Sequence, residues 1–455
     1  MLNVKRKKSL NILLCFLFFS SFYLPAQTSP EDHLDFKVGS EQSDLDKFIL
    51  EKMKANHIPG LAACIVKNDK LVWANEYGWA DIENKIPMTE YTIQNIGSIS
   101  KTVTATAIMQ LWETGKFKLD DDVNLYLPFK VRNPAFPDDP ITFRQLLAHK
   151  SSIKDGKAYQ KSYACGDPTI SLKDWIEGYF TPEGKYYDAK DNFHTWKPGV
   201  IKTPRGPEAY TNVGYGLLGY LVEVISGMNF AEYCKKHIFA PLGMTHTGWY
   251  LADIDVSKHA IPYSYYPENF KQPEGITVES LLPRYGKDKQ SLEKGTYFAH
   301  CLYSFPNYPD GLVRTSVREL SLFLRAYINH GTFKGVQILQ KETIASMLSD
   351  KHFSRGLCWY PQRYKGGIST WGHGGSDPGI STQMCFVPED GIGVIIFSNC
   401  DSPGNAYGEI INRLIAKGLN SKQRKLNRNT DLSWNGDIAI PFQNDFALNR
   451  RTDED

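Results

Sequence analysis

The segment Gly97-Ser98-Ile99-Ser100-Lys101 places a hydroxyl directly after a glycine and a lysine three residues after that hydroxyl. The residues that follow, through Thr114, include Val103, Ala105, Ala107, Ile108, Met109, Leu111 and Trp112 and no proline. They read as a helix apolar on most faces and therefore buried, with Gly115 as its stop. Ser98 then sits at a helix N-terminus, where free N–H groups and the dipole favour developing negative charge. Residues three apart on a helix share a face, so the Lys101 amine can reach the Ser98 oxygen. A serine needs a neighbouring base to become a nucleophile, and a buried lysine can supply one because desolvation lowers its pKa. The plain alternative is a serine cap beside a surface lysine, so the pair needs support from elsewhere in the chain.

Two distant stretches offer it. Tyr210-Thr211-Asn212 presents a phenol and an amide two residues apart where a loop enters a helix, so that both can face one cleft. Trp371-Gly372-His373-Gly374-Gly375-Ser376 stands at the start of a predicted strand pair, and its glycines would let a substrate backbone approach the strand edge. Taken alone, each also reads as a satisfied loop tyrosine or a glycine turn with a surface histidine.

Around these stretches the pattern is α+β. Asp44 to Asn56 has helical spacing, Leu61 to Val66 and Leu71 to Ala74 read as a hairpin, and a third strand is expected from Asn75 to Asp81. Helices are expected from about Asn212 to Ser226, from Val317 to Ile328, from Lys341 and from about Gly404 to Ala416. Strands are expected at Ser369 to Trp371, Gln383 to Val387 and Gly393 to Phe397. Strands at both ends predict one antiparallel sheet built from both chain ends, flanked by helices, with a large, mostly helical insertion.

The formal charge of +2 with mixed signs excludes nucleic acid and anionic lipid as the expected partners. Lys5, Arg6, Lys7 and Lys8, the apolar run Leu10 to Leu24 and Pro25-Ala26-Gln27 form a signal-peptide pattern with an expected cleavage site after Ala26, an uncleaved anchor being the alternative. The expected organisation is a signal at 1–26, a polar leader at 27–45, one domain at 46–418 and a polar tail at 419–455. The mature product would be periplasmic or secreted, with no stable membrane insertion. Cys64, Cys165, Cys234, Cys301, Cys358, Cys385 and Cys400 are scattered, which excludes a dense disulfide framework but leaves room for one bridge. Asp120-Asp121-Asp122 reads as a solvated cap rather than a metal site. Gly214-Tyr215-Gly216-Leu217-Leu218-Gly219 spells G-x-G-x-x-G but lacks the preceding strand that nucleotide binding requires, so its glycines are expected to serve close helix packing.

In this order, the three stretches resemble the serine beta-lactamase and penicillin-binding-protein superfamily, and within it the class C-like branch, whose motifs are S-x-x-K, Y-x-N and K-T-G or H-x-G. Ser98/Lys101, Tyr210/Asn212 and His373/Gly375 match them in turn. The connecting segments Leu146-Leu147-Ala148-His149, Lys197-Pro198-Gly199 and Pro241-Leu242-Gly243-Met244 also match, over roughly residues 46–417. The resemblance implies a beta-lactamase/transpeptidase-like fold and acyl transfer to an ester or amide. Ser98 would be the nucleophile, Lys101 the base and Tyr210 the proton donor, with Asn212, His373, Gly374, Gly375 and Ser376 binding substrate. The oxyanion would lie between the N–H groups of Ser98 and Ser376, and no metal or cofactor is implied. The substrate is expected to be a small molecule or peptide; the oligomeric state is left open. The chain departs from the family at Ser152, where a glycine is usual, and in a long 153–200 region. His149 is expected to cap or pack. Lactamases of this branch carry lysine at the position of His373, which at a reference pKa near 6.5 would be about a quarter protonated at pH 7. A permanent carboxylate anchor is thus missing unless Lys202, Arg205 or Arg314 supplies it. An esterase or D-amino-acid peptidase is expected over a lactamase or D,D-carboxypeptidase. A non-catalytic sensor of cell-wall peptides is the competing class.

Overall fold

The computed structural model describes residues 43–200, 210–266, 295–349, 356–364, 366–401 and 403–419. The expected signal peptide, most of the leader and the tail beyond residue 419 lie outside these residues, as do Lys202 and Arg205.

The central sheet has seven antiparallel strands. From the N-terminal end come β1 (Gly60–Lys67), β2 (Lys70–Asp81) and β3 (Ile86–Pro87), and from the C-terminal end β4 (Tyr360–Tyr364), β5 (Ile368–Asp377), β6 (Ile380–Val387) and β7 (Ile392–Ser398). The order is β4-β5-β6-β7-β1-β2-β3, so the two chain ends meet where β1 pairs with β7, Cys64 opposite Ile395. Successive side chains of a strand point to opposite faces. In β1, Leu61, Ala63 and Ile65 enter one apolar cluster, while Ala62, Cys64 and Val66 enter another. The strand reads as an unbroken apolar run because both faces are covered. Helices α1 (Asp44–Ala55) and α6 (Ala406–Gly418) cover the first face through Ile49, Met53, Ile410 and Leu414. Helices α2 (Ser100–Glu113), α3 (Val213–Ser226), α4 (Val317–Ile328) and α5 (Lys341–Ser349) belong to the larger core on the other.

The expected hairpin is present as β1 and β2, but its second strand and the expected third strand are one long strand, β2, which bulges against β1 at Ile65/Val66 and keeps pairing to Gly78. The bulge lies near the start of β2, opposite Leu71 and Trp73, and the pairing then runs unbroken across Ala74 and Asn75. β5 is also much longer than expected. It runs from Ile368 through Asp377, so the whole His373-Gly374-Gly375-Ser376 stretch is ladder, paired to Ser381–Met384.

The acidic triplet is structural. Asp120 pairs with Arg144, Asp122 pairs with Arg132 and caps a turn at Asn124 N–H, and Asp121 accepts from Tyr126. Among the described residues no cluster of His, Cys, Asp and Glu could hold a metal ion. The G-x-G-x-x-G string lies on α3. A Cβ at Gly216 would overlap the Asn307 side chain and one at Gly219 would overlap Pro309, so these glycines bring α3 against the turn at 307–310.

The 153–200 region is held by a disulfide, Cys165–Cys301, beside a short pairing of Ala164–Cys165 with Tyr303–Ser304. The bridge closes a loop with a sequence separation of 136 residues, and a loop of that size gives a large entropic stabilisation. A Cys165→Ser, Cys301→Ser double variant should lose about 2–5 kcal/mol of unfolding free energy. Urea denaturation with and without reductant measures this, and a midpoint indifferent to reductant would show that these thiols are not bridged.

Candidate active site

The site is assembled at the N-terminal end of α2. Gly97–Ile99 forms a 3-10 turn that leads directly into the helix, and Gly97 has a φ of +52°. The turn lies against the edge of β5: a Cβ at Gly97 would stand 3.0 Å from Ser376 N, and one at Gly375 would overlap Ile96 O. The absence of a side chain at Gly375 leaves room for the turn that bears Ser98. That contact brings the N–H of Ser376 beside the Ser98 turn.

Lys101 is fully buried. Its Nζ lies 3.0 Å from Ser98 Oγ, 2.6 Å from Asn212 Oδ1 and 2.9 Å from the carbonyl oxygen of Asp310. The amide and carbonyl oxygens can only accept. A neutral amine has two N–H donors and one lone pair. With both donors spent on those two oxygens, the lone pair faces the Ser98 hydroxyl. Burial lowers the Lys101 pKa from 10.5, against the opposing pull of Asp310 and Asp155. Both geometry and desolvation therefore favour an amine that can take the serine proton.

Tyr210 is half-buried, and its hydroxyl is hydrogen-bonded to that of Ser98. Burial holds its pKa well above the usual phenol value, so it remains a phenol that can give a proton but does not rest as phenolate. Its ring stacks on His149 at 4.2 Å, and His149 Nδ1 accepts the Thr211 N–H at 3.1 Å. His149 packs and positions, as expected. Ser152 occupies the left-handed region, with a φ of +60°. A glycine suits that conformation without cost, which accounts for the glycine usual in the related family.

Asp155, a residue the sequence reading passed over, organises the second motif. Its carboxylate accepts from Asn212 N, Val213 N, Thr211 Oγ1 and Asn212 Nδ2, at 2.8–3.0 Å. Holding Nδ2 leaves Oδ1 of the same amide pointing at Lys101. The hint in sequence was only an acidic residue in a polar loop. Asp310 was missed for the same reason. It is buried, its Oδ2 lies 3.5 Å from Lys101 Nζ, and burial raises its pKa to about 6.

His373 differs from expectation. It is fully buried, its Nδ1 lies 2.7 Å from Gly374 O, and among the described residues its Nε2 has no hydrogen-bond partner. Burial and the nearby Lys101 push its pKa down to about 3. It is therefore a neutral imidazole at pH 7 and not one-quarter protonated. Arg314 cannot compensate. Its guanidinium is buried and donates to the carbonyls of Trp249 and Tyr303 and to Ser304 Oγ.

Comparison with known proteins was made against this geometry. "Protein flp" of Staphylococcus aureus (strain N315) is 27% identical over 374 residues, covering 80% of this chain and 64% of that protein. The chain thus spans less than two thirds of that relative's length. "Putative penicillin-binding protein PbpX" of Bacillus subtilis (strain 168) is 33% identical over 290 residues, 61% of this chain and 66% of that protein. Among solved structures, a D-amino acid amidase from Ochrobactrum anthropi SV3 superimposes with a TM-score of 0.62 at 20% identity, covering 84% of this chain and all of the other, which shows a shared fold. The Beta-lactamase family model matches residues 45–418. With an antiparallel sheet drawn from both ends and a helical core beside it, the chain belongs to the Beta-lactamase family of serine hydrolases.

Proposed function

We propose that this protein is an exported serine hydrolase that works through an acyl-enzyme, with an ester or D-amino-acid amide as its substrate class. The observation that carries the reading is the position of the buried Lys101 Nζ, 3.0 Å from Ser98 Oγ and within hydrogen-bond distance of Asn212 Oδ1 and the Asp310 carbonyl oxygen, an arrangement that in the neutral amine leaves the lone pair for the serine hydroxyl. In this reading Ser98 attacks the carbonyl and Lys101 takes its proton. The N–H groups of Ser98 and Ser376 hold the oxyanion, and donors of this kind typically lower the barrier by about 2.7–4 kcal/mol each. Tyr210 protonates the leaving group and then helps activate water for deacylation. Asn212 orients Lys101 and the substrate amide, and the Gly374–Ser376 edge receives the acyl chain.

The neutral His373 sets the substrate class. A lysine at that position would anchor a carboxylate, and a charge-assisted bond of this kind is worth about 1.5–3 kcal/mol. An uncharged imidazole with its lone pair unpaired favours a substrate that offers an N–H or O–H instead. Penicillins and cell-wall peptides ending in a carboxylate are correspondingly disfavoured. Export is supported by the charge-then-apolar order of residues 5–24 and by the Cys165–Cys301 bridge, since disulfides persist in oxidising compartments. Among the described residues no helix is long and apolar enough to cross a membrane.

Purified protein should release nitrophenol from short-chain esters, and Ser98→Ala should abolish the release. Activity that survived this change would remove Ser98 from the mechanism. Nitrocefin should turn over about a hundredfold more slowly than with an enzyme bearing a lysine anchor. Because burial pushes the His373 pKa down to about 3, the KM for nitrocefin should not improve between pH 8 and pH 5.5. A KM that fell on acidification would mean that the imidazole takes up a proton in the working range. Asp155→Asn should lower kcat by roughly tenfold with a smaller change in KM, since it unpins the Asn212 amide. Equal kcat in that variant would show that the amide is held from elsewhere.

A further inference from the structure

Resting on the reading of Ser98 and Lys101 above, we propose that Tyr159 and Tyr163 form a phenol wire through which Asp310 and Asp377 share one proton, so that Lys101 gains an anionic partner as it becomes charged.

The four side chains form a continuous line leading away from the lysine. Tyr159 Oη lies 3.0 Å from Asp310 Oδ2, Tyr159 Oη and Tyr163 Oη are 3.4 Å apart, and Tyr163 Oη lies 2.9 Å from Asp377 Oδ1. Asp310 Oδ2, the near end, is also the oxygen 3.5 Å from Lys101 Nζ. Both tyrosines are buried, whereas Asp377 is half-buried and directly follows Ser376. The phenols come from the long region that departs from the related family, and their segment is tied down two residues later by the Cys165 bridge. Nothing in the acyl-transfer scheme uses them.

The charges facing this line come from several elements. Asp310 faces Lys101 and Asp155 as well as Tyr159, with Asn307 donating to its other oxygen. Asp377 is influenced by Asp310 and Lys101, accepts from Tyr163 and is approached by Asn95 Nδ2 at 3.5 Å, and its charge reaches Arg314. Burial raises Asp310 to about 6 and Asp377 to about 7, so near neutral pH the pair retains about one proton between them. Burial holds both phenols far above their usual range. They pass a proton only by accepting one as they give up another, with no phenolate formed.

The step balances. The charged lysine lowers Asp310 more than Asp377, so at rest, with Lys101 neutral and that pull gone, Asp310 carries the shared proton and Asp377 is anionic. When the Ser98 O–H bond breaks and a Lys101 N–H bond forms, the Asp310 proton passes to Tyr159. The Tyr159 proton passes to Tyr163, and the Tyr163 proton passes to Asp377. Asp310 is left anionic beside the new ammonium, and Asp377 is neutral. Deacylation reverses the shift. The 3.4 Å phenol-to-phenol contact is the longest of the line and limits the exchange.

The test is the pH profile of kcat for a short-chain nitrophenyl ester from pH 5 to pH 9, with a proton inventory in mixed light and heavy water, on wild type, Tyr163→Phe and Asp377→Asn. In each variant kcat should fall roughly tenfold at pH 7, less than the hundredfold or more that a direct proton-transfer group contributes. KM should stay unchanged, the limb near pH 6–7 should flatten, and a curved inventory should become linear. Asp377→Asn carries the same measurement if Tyr163→Phe does not fold. A uniform loss with the profile and inventory of wild type would assign these residues a packing role and overturn the wire. So would variants identical to wild type. Turnover that requires Ser98 yet ignores Tyr163 and Asp377 removes the wire alone, whereas turnover that survives Ser98→Ala removes the reading of the site and the wire with it.

Discussion

A lysine amine buried without solvent, with two neutral oxygens that can only accept set around it, is the constraint from which the rest of this structure follows. An ammonium stripped of water is costly unless paired. The protein meets that cost at Lys101 by supplying two neutral acceptors and placing the nearest carboxylate oxygen slightly beyond hydrogen-bond length, at 3.5 Å. The same enclosure that lowers the lysine pKa raises those of Asp310 and Asp377. Desolvation pushes bases and acids in opposite directions, so it narrows the gap between the lysine and the two carboxyl groups.

The partners of that amine come from every part of the chain. Ser98 is delivered by a turn that needs Gly97 and Gly375 in order to lie against β5. Asn212 is delivered by the first turn of α3, whose free N–H groups are gathered by the Asp155 carboxylate. Helix starts leave such N–H groups unpaired, and a carboxylate is a favourable partner for them. Asp310 comes from a turn that packs closely on α3 because Gly216 and Gly219 leave room for Asn307 and Pro309. The glycine string that spells a nucleotide motif thus sets the distance between two walls of the site.

His373 shows how burial overrides identity. On the surface an imidazole titrates near neutral pH. Here it lies inside the ladder of β5 with one nitrogen bonded along its own strand, and it stays neutral. A position that would otherwise read as a weak cation becomes a hydrogen-bond acceptor, and the substrate class proposed above rests on that change.

The motifs, the α+β class, the helix after Ser98 and the strands at both ends were legible from residue order. Each depends on local periodicity or on side chains a few positions apart. The true lengths of β2 and β5 were not, because bulges and glycines inside a ladder look like breaks until the partner strand is known. Asp155, Asp310, Tyr159 and Tyr163 were also invisible in one dimension, being common polar residues in irregular segments with no spacing to mark them. Their roles arise only when folding removes water and sets them within about 3 Å of groups far away in the chain. Residue order specified which chemical groups the protein carries. Tertiary burial decided which of them hold a proton, because protonation depends on solvation and neighbouring charge, and neither is a property of the sequence alone.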